Sequence, residues 1–202
     1  MNIIGFLVSF AFLIVAMTVH EFAHGWVAYK LGDSTAKHSG RLTLNPLAHI
    51  DPLGTIVLPL MLFITTQGRF VFGSAKPVPI DYRSLNNPKK DIIWIGLSGP
   101  LANFVFAFIL SMALRILPPS YILLFIFRNL IVLNVILGVF NLIPIPPLDG
   151  SRVLMGILPE GLALRYARIE PFGFVIILLL MGLGMLDSII WPLTDFMLKL
   201  FI

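Results

Sequence analysis

The sequence contains no cysteine and few charged residues, and each shortage excludes a class of protein. Without cysteine the chain has no disulfide and no thiolate-ligated zinc site, so a metal must be held by histidine and carboxylate ligands. Charged residues make up 12% of the 202 residues, whereas ordinary globular domains carry roughly a quarter. So few charges cannot cover the surface of a water-soluble domain. With 58% hydrophobic residues, the composition predicts a polytopic membrane protein.

The net charge of +4 does not indicate nucleic-acid binding, because the basic residues are scattered between apolar stretches. In membrane proteins such placement is typical of cytoplasmic loops. It predicts a multi-pass protein of the cell membrane with three groups of basic residues in the cytoplasm. This topology requires that the short apolar block 53–66 dips into the membrane and returns to the same side. The alternative is that this block simply crosses the membrane. The groups are Lys30, Lys37 and Arg41; Arg69, Lys76, Arg83, Lys89 and Lys90; Arg152, Arg165 and Arg168.

The apolar stretches predict an all-α polytopic fold with about five to six membrane segments and a small membrane-associated β/loop region after the first span. Residues 34–45 are expected to be extended, and residues 68–88 to form a strand around 69–72 with an irregular loop. That strand would offer an edge to an unwound peptide, or would be a plain surface loop. The apolar blocks are 2–31, 53–66, 92–117, 121–143 and 172–186, with 187–202 as a return span or interfacial helix.

The first apolar block contains an H-E-x-x-H run, made of His20, Glu21 and His24. The run follows the apolar stretch 3–19, and no charged residue precedes it. Residues four apart lie on one face of a helix, so His20 and His24 can share a metal ion with Glu21 beside them. Ionisable groups inside a membrane helix are costly and usually functional. The pattern therefore favours an intramembrane metal site over a chance arrangement facing other helices.

A zinc hydrolase commonly uses three protein ligands and leaves a fourth position for water. Among the few acidic residues, Asp149 is the strongest candidate for the third ligand, because it follows an apolar span and a proline-rich break. The topology above places it on the same side of the membrane as His20 and His24. The alternative is a helix cap or a turn, since Asp-Gly is a common turn pair.

These features resemble the site-2 protease family of intramembrane zinc metalloproteases, in a compact form without PDZ or regulatory domains. The resemblance covers most of the chain from His20 to Arg152, and the C-terminal span is generic. We therefore expect one intramembrane metalloprotease domain over 1–202, with a catalytic core at about 1–155 and C-terminal span(s) at about 171–202. The matching segments are HEFAH at 20–24, GRLTLNP at 40–46, AKPVP at 75–79, GPLAN at 99–103 and NLIPIPPLDG at 141–150.

The resemblance implies that His20, His24 and Asp149 bind one Zn²⁺ ion and that Glu21 is the general base. Asn141, and less strongly Asn103, are candidates for holding the substrate backbone or the oxyanion. For Asn141 the alternative is to satisfy backbone carbonyls near the prolines, and for Asn103 it is helix packing.

The expected function is zinc-dependent hydrolysis of peptide bonds within or near transmembrane segments of membrane-protein substrates, as in regulated intramembrane proteolysis. The expected partners are those substrates and membrane lipid, with no nucleic acid, and the active site is expected in the cytoplasmic half of the membrane. One alternative is a metal-ion transporter or channel that uses intramembrane His and Asp, although the chain shows no internal repeat. Another is a catalytically silent membrane relative.

Overall fold

The computed structural model describes residues 3–68, 73–118 and 120–201, and within these ranges all regular structure is helical. The all-α prediction is confirmed for them, whereas the strand predicted around 69–72 lies outside the described residues. The α-helices are α1 (Ile3–Lys30), α2 (Thr35–His38), α3 (Leu58–Thr65), α4 (Pro88–Ile116), α5 (Tyr121–Asn141), α6 (Asp149–Ile157), α7 (Glu160–Ala167), α8 (Glu170–Gly182) and α9 (Asp187–Phe201). Short 3₁₀ turns cover Pro46–His49 and Tyr82–Ser84, and a π-helical turn covers Pro52–Val57.

Three of the described helices are long and apolar enough to cross a membrane. They are α1, α4 and α5, with 28, 29 and 21 residues and mean hydropathies of 2.4, 1.9 and 2.4 in their most apolar stretches. Helices α8 and α9 meet at a bend of 82° and together form either a broken fourth span or a re-entrant loop. The described helices thus give three spans, or four with the bent pair, and the predicted count of five to six is not confirmed.

The block predicted to dip into the membrane forms the π-helical turn and helix α3. Asp51 starts this piece, because its carboxylate accepts a hydrogen bond from the Gly54 amide at 2.6 Å. The turn and α3 contain six and eight residues. At about 1.5 Å per residue they extend for roughly 20 Å, less than the roughly 30 Å of a hydrocarbon core. This length agrees with a block that does not cross alone.

The expectation of extended chain over 34–45 is wrong at Thr35–His38, which forms α2. The cause is Asp33, which is fully buried. Its Oδ1 accepts hydrogen bonds from the backbone and the hydroxyl of Thr35, which starts the helical turn. Its Oδ2 accepts from the Asp81 amide at 2.8 Å, so the same side chain joins the loop after α1 to the loop before α4.

Helix α4 is the central helix and packs against α1, α5 and α6. The larger apolar cluster lies mainly among α4, α5, α8 and α9, and a smaller one joins α1 and α4 around Ala28, Leu85 and Ile95. The larger cluster is Ala107, Leu110, Leu130, Ile131, Val135, Val139, Ile143, Leu148, Ile177, Leu186, Ile190 and Phe201.

A proline-rich break after α5 determines where α6 begins. Prolines 144, 146 and 147 cannot continue the helix, and α6 starts at Asp149. The Tyr166 hydroxyl of α7 donates to the Pro144 carbonyl at 2.7 Å. Gly150 is required by close approach, since a Cβ there would lie 2.6 Å from the Ile143 carbonyl oxygen. These contacts hold the break against α7 and the first turn of α6, and α6 itself packs against α4.

Candidate metal centre

Three predicted ligands meet in the interior, where α1 and the start of α6 approach each other. His20, His24 and Asp149 are all buried, with at most 5% of each residue exposed. His20 Nε2 lies 2.9 Å and His24 Nε2 lies 3.1 Å from the same oxygen, Asp149 Oδ2. The two Nε2 atoms are 3.0 Å apart. The structure therefore brings one atom from each predicted ligand to one point.

The outer nitrogen of each imidazole faces an oxygen that can only accept a hydrogen bond. His24 Nδ1 is 2.7 Å from the backbone carbonyl of Ile95. His20 Nδ1 is 2.7 Å from Asn103 Oδ1. Each Nδ1 therefore carries the proton and donates it, and each Nε2 presents a lone pair to the centre. Such outer partners are what orients metal-binding histidines.

The donor set fits a divalent cation. Two Nε2 lone pairs and a carboxylate oxygen are all hydrogen-bond acceptors, so they repel each other at about 3 Å unless a positive charge lies between them. Two imidazoles and one carboxylate are a ligand set of catalytic zinc sites, which keep a fourth position for water. The chemistry of these buried residues thus fits Zn²⁺.

Helix α4 approaches the two imidazoles at a residue without a side chain. A Cβ on Gly99 would lie 2.6 Å from His20 Nε2 and would also meet His24 Nε2. Any side chain at this position would occupy the space that the ligands surround. Gly99 belongs to the GPLAN segment, and its backbone forms one wall of the candidate metal centre.

Asp149 does not occupy the N-cap position of α6, which was one of the two alternatives to a ligand role. Leu148 occupies the N-cap position, and Asp149 lies in the first helical turn. Its Oδ2 faces the imidazoles, and its Oδ1 lies 3.6 Å from Arg152 Nη1. The carboxylate form of Asp149 is the form that binds a metal.

Glu21 lies at the edge of the cluster and is half-buried. Its Oε2 accepts a hydrogen bond from the Val78 backbone amide at 2.8 Å. Val78 lies in a non-helical segment, residues 73–80, which precedes the second 3₁₀ turn. Arg41 Nη2 donates to the Lys76 carbonyl at 2.6 Å and to that of Pro77 at 3.3 Å. The segment 73–80 is thus held just before the residue that contacts Glu21.

The two asparagines proposed as substrate contacts occupy different positions. Asn103 is fully buried; besides the contact with His20, its Nδ2 donates to the Ala16 carbonyl at 3.0 Å and to Asn134 Oδ1 at 2.7 Å. Asn141 ends α5, and its Nδ2 donates to the Leu137 carbonyl at 3.0 Å. Among the described residues, Asn141 makes no hydrogen bond to His20 or to the other two ligands.

Sequence reasoning missed several groups that contact the ligands. Ser98 Oγ lies 3.2 Å from His24 Nδ1 and donates to the Ile95 carbonyl at 2.7 Å. Asn134 Oδ1 accepts a hydrogen bond from the amide nitrogen of Asn103. Ser98 and Asn134 are polar residues inside apolar spans. Because polar residues are uncommon in such spans, their presence could have indicated a role near the metal centre. The Val78 contact is made by the backbone and leaves no such signal.

Comparison with known proteins gives one matching family model, described as Peptidase family M50, over residues 119–183. A Bacillus subtilis protein named "Putative zinc metalloprotease YwhC" is 38% identical over 94% of this chain and 88% of its own length. Two proteins named Rip2, with the same zinc metalloprotease description, are 29% identical in Mycolicibacterium smegmatis and 31% identical in Mycobacterium tuberculosis. Each alignment covers 87% of this chain, and 67% and 66% of the respective relative. No solved structure matches the chain at a significant level.

Proposed function

This chain belongs to peptidase family M50, the site-2 proteases, and from that premise we propose that it is a zinc-dependent intramembrane endopeptidase. Its substrates would be membrane proteins, cleaved within or near their transmembrane segments. The observation that carries the proposal is the meeting of His20 Nε2, His24 Nε2 and Asp149 Oδ2 in a buried position on a membrane-spanning helix and the helix packed beside it. A transporter or channel is not favoured, because the relatives carry the names of metalloproteases.

In this proposal His20, His24 and Asp149 hold one zinc ion. When bound, zinc supplies Lewis acidity, which polarises the scissile carbonyl and lowers the pKa of water toward about 7. The three side chains are buried, and the outer hydrogen bonds of both histidines are already formed. They therefore need little rearrangement to bind the ion, which supports a preformed centre.

Glu21 is the proposed general base. It takes a proton from the attacking water and passes it to the leaving amine. The Val78 amide holds Oε2, whereas Oε1 has no hydrogen-bond partner among the described residues. This arrangement supports Oε1 as the oxygen that receives the proton, with Oε2 as the fixed one.

The substrate must present an extended backbone, because helical hydrogen bonds and side chains shield its carbonyls from attack. Residues that destabilise helices should therefore favour cleavage. Asn141, at the end of α5, remains a proposed contact for the substrate or the oxyanion. For Asn103, the three hydrogen bonds of its buried amide support orientation of His20 rather than contact with substrate.

We place the site in the cytoplasmic half of the membrane of a multi-pass protein, with the whole chain forming one protease domain. The basic residues at the ends of the spans support this orientation through the positive-inside tendency. A count of five to six membrane segments would require block 53–66 and the bent α8–α9 pair each to contribute segments of their own. The short apolar stretch Pro52–Thr65 and the 82° bend of the α8–α9 pair are compatible with re-entrant segments.

The experiment that tests the function is Glu21→Gln in the zinc-loaded protein, with Glu160→Gln on exposed helix α7 as the matched control. We expect Glu21→Gln to keep its zinc content and to lose cleavage of a membrane-inserted substrate by about 10³-fold, near the middle of the range for a positioned base. Glu160→Gln should retain both properties. Zinc is measured by elemental analysis and cleavage by the appearance of fragments. Turnover by Glu21→Gln at the wild-type rate would refute the mechanism.

A further inference from the structure

We infer that Asn134, in the middle of α5, is a positioning residue for the metal centre that acts on His20 through Asn103. The inference rests on the proposed zinc site but not on protease activity. Asn134 is fully buried in an apolar span, and among the described residues its side chain makes no hydrogen bond to any of the three ligands. An amide in such a place needs an explanation, because buried polar groups in a membrane span are costly unless they do specific work.

The amide of Asn134 has only one orientation that satisfies its neighbours. Its Nδ2 donates to the backbone carbonyl of Leu130 at 2.8 Å. That carbonyl can only accept, so the NH₂ group must face it, and Oδ1 must face the opposite side. Asn134 Oδ1 lies 2.7 Å from Asn103 Nδ2.

The orientation of Asn103 follows from that of Asn134. Its NH₂ group has two acceptors, Asn134 Oδ1 and the Ala16 carbonyl at 3.0 Å. Its Oδ1 is therefore turned toward His20 Nδ1. A reversed amide would bring two pairs of acceptor oxygens face to face, which a buried site disfavours strongly.

The consequence is a one-way chain of hydrogen bonds that ends at a metal-binding atom. His20 Nδ1 donates to Asn103, Asn103 donates to Asn134, and Asn134 donates to the Leu130 carbonyl. Because His20 Nδ1 must carry the proton, Nε2 is left with a lone pair directed at Asp149 and His24. Residues on α5 thereby select the histidine tautomer on α1.

His24 provides an internal comparison, since its Nδ1 donates directly to the Ile95 backbone carbonyl. A backbone carbonyl cannot rotate to become a donor, so His24 needs no further residue to fix its tautomer. Loss of Asn134 should therefore affect His20 and spare His24. A residue that only joined helices together would affect both equally.

The test is zinc affinity, measured at equilibrium against a chelator on folded protein in detergent. Asn103→Leu removes the acceptor of His20 and should weaken affinity near the upper end of the roughly 10–100-fold range for outer partners. Asn134→Leu leaves the Ala16 carbonyl to orient Asn103, so we expect a loss of about tenfold, at the lower end. The matched control is Asn129→Leu. Asn129 is only partly buried on the same helix and makes the same kind of bond, to the Phe125 carbonyl, so the change should leave affinity within about twofold.

The second readout is the histidine nitrogen NMR spectrum of the zinc-loaded protein, which has only four histidines. In the wild type, His20 and His24 should both show protonated Nδ1 and metal-bound Nε2. In Asn134→Leu, the Nδ1 proton of His20 should exchange faster while that of His24 is unchanged. If Asn134→Leu does not fold, Asn134→Ala removes the same oxygen. Zinc affinity equal to the Asn129→Leu control, or His20 bound through Nδ1 in the wild type, would overturn the inference.

Discussion

The metal ligands and the proposed base are neighbours in the sequence but are held by different kinds of structure. His20, His24 and Asp149 are buried, and the hydrogen-bond partners described for them lie on helices α1, α4 and α6. Glu21 is half-buried, and its partner is the backbone of the non-helical segment 73–80. We call these the metal side and the base side of the site.

The difference teaches which part of the site can adjust to a substrate. Helix-borne contacts in a packed interior change only when whole helices move, so the metal side is rigid. The non-helical segment 73–80 is held by a few hydrogen bonds, so it can shift with less disturbance of the helices around it. A peptide that approaches Glu21 therefore meets the more adaptable half of the site. The two sides should respond separately to mutation.

The largest effect is expected on the metal side, from Gly99→Ala. The new Cβ would lie 2.6 Å from His20 Nε2, in the space that the ligands surround, so either α4 or the imidazoles must move. We expect zinc affinity to fall by more than the roughly 10–100-fold typical of losing an outer partner, with cleavage lost in parallel. Elemental analysis after equilibration with chelator measures the effect.

The control for this change is Gly161→Ala on α7, where a Cβ meets nothing within 4 Å. It should retain full zinc content. If Gly99→Ala also retained wild-type affinity, α4 would not form a wall of the metal centre, and the rigid description of the metal side would be wrong.

The second effect is expected on the base side, from Arg41→Met. This change removes both hydrogen bonds that tie the Lys76 and Pro77 carbonyls, next to the Val78 amide that holds Glu21. We expect turnover to fall about tenfold, equivalent to roughly 1.4 kcal/mol of activation free energy. Zinc content should not change, because no metal ligand depends on this segment. Turnover and zinc are measured on the same preparation.

Arg83→Met serves as its control, because Arg83 is exposed and its side chain makes no hydrogen bond to these carbonyls among the described residues. A loss of zinc in Arg41→Met, in proportion to the loss of turnover, would show that the two sides are coupled and that the comparison fails.

The same comparison explains what the sequence could predict about the site. His20, Glu21 and His24 are close in the chain, so their arrangement follows from helix geometry alone. Asp149 required knowledge of chain order and family resemblance, because it is 129 residues from His20. The contacts of Asn134 with Asn103 and of Val78 with Glu21 join residues 31 and 57 positions apart. Such contacts depend on how distant parts of the chain pack together. A pattern within one short stretch of sequence therefore cannot predict them.

The fold shows a similar division. Apolar length predicted α1, α4 and α5 well, because a long uncharged run has few other stable forms in a membrane. The same criterion ended the last block at 186 and set 187–202 apart, whereas α8 already ends at Gly182 and the chain bends by 82° before α9. Gly184 takes a positive φ of 69° at this bend. Residues 181–186 are apolar or glycine, so hydropathy could not mark the residue at which the helix ends.

The smallest effect is expected from Tyr166→Phe, at the contact between α7 and the proline-rich break that precedes α6. The Tyr166 hydroxyl donates to the Pro144 carbonyl in the break that positions Asp149. The bond is exposed, so its loss should cost about 0.5–1 kcal/mol of stability, a shift of roughly 1–4 °C in Tm for a chain of this size. The control is Tyr121→Phe, at a residue that is 94% exposed, and it should change neither stability nor zinc affinity.

In Tyr166→Phe, zinc affinity should fall less than about threefold, because the buried contacts of Asp149 with the imidazoles and the packing of α6 on α4 remain. A larger loss of zinc without a matching loss of stability would mean that the proline break, rather than the packed helices, holds Asp149, and the metal side would then depend on a loop as the base side does.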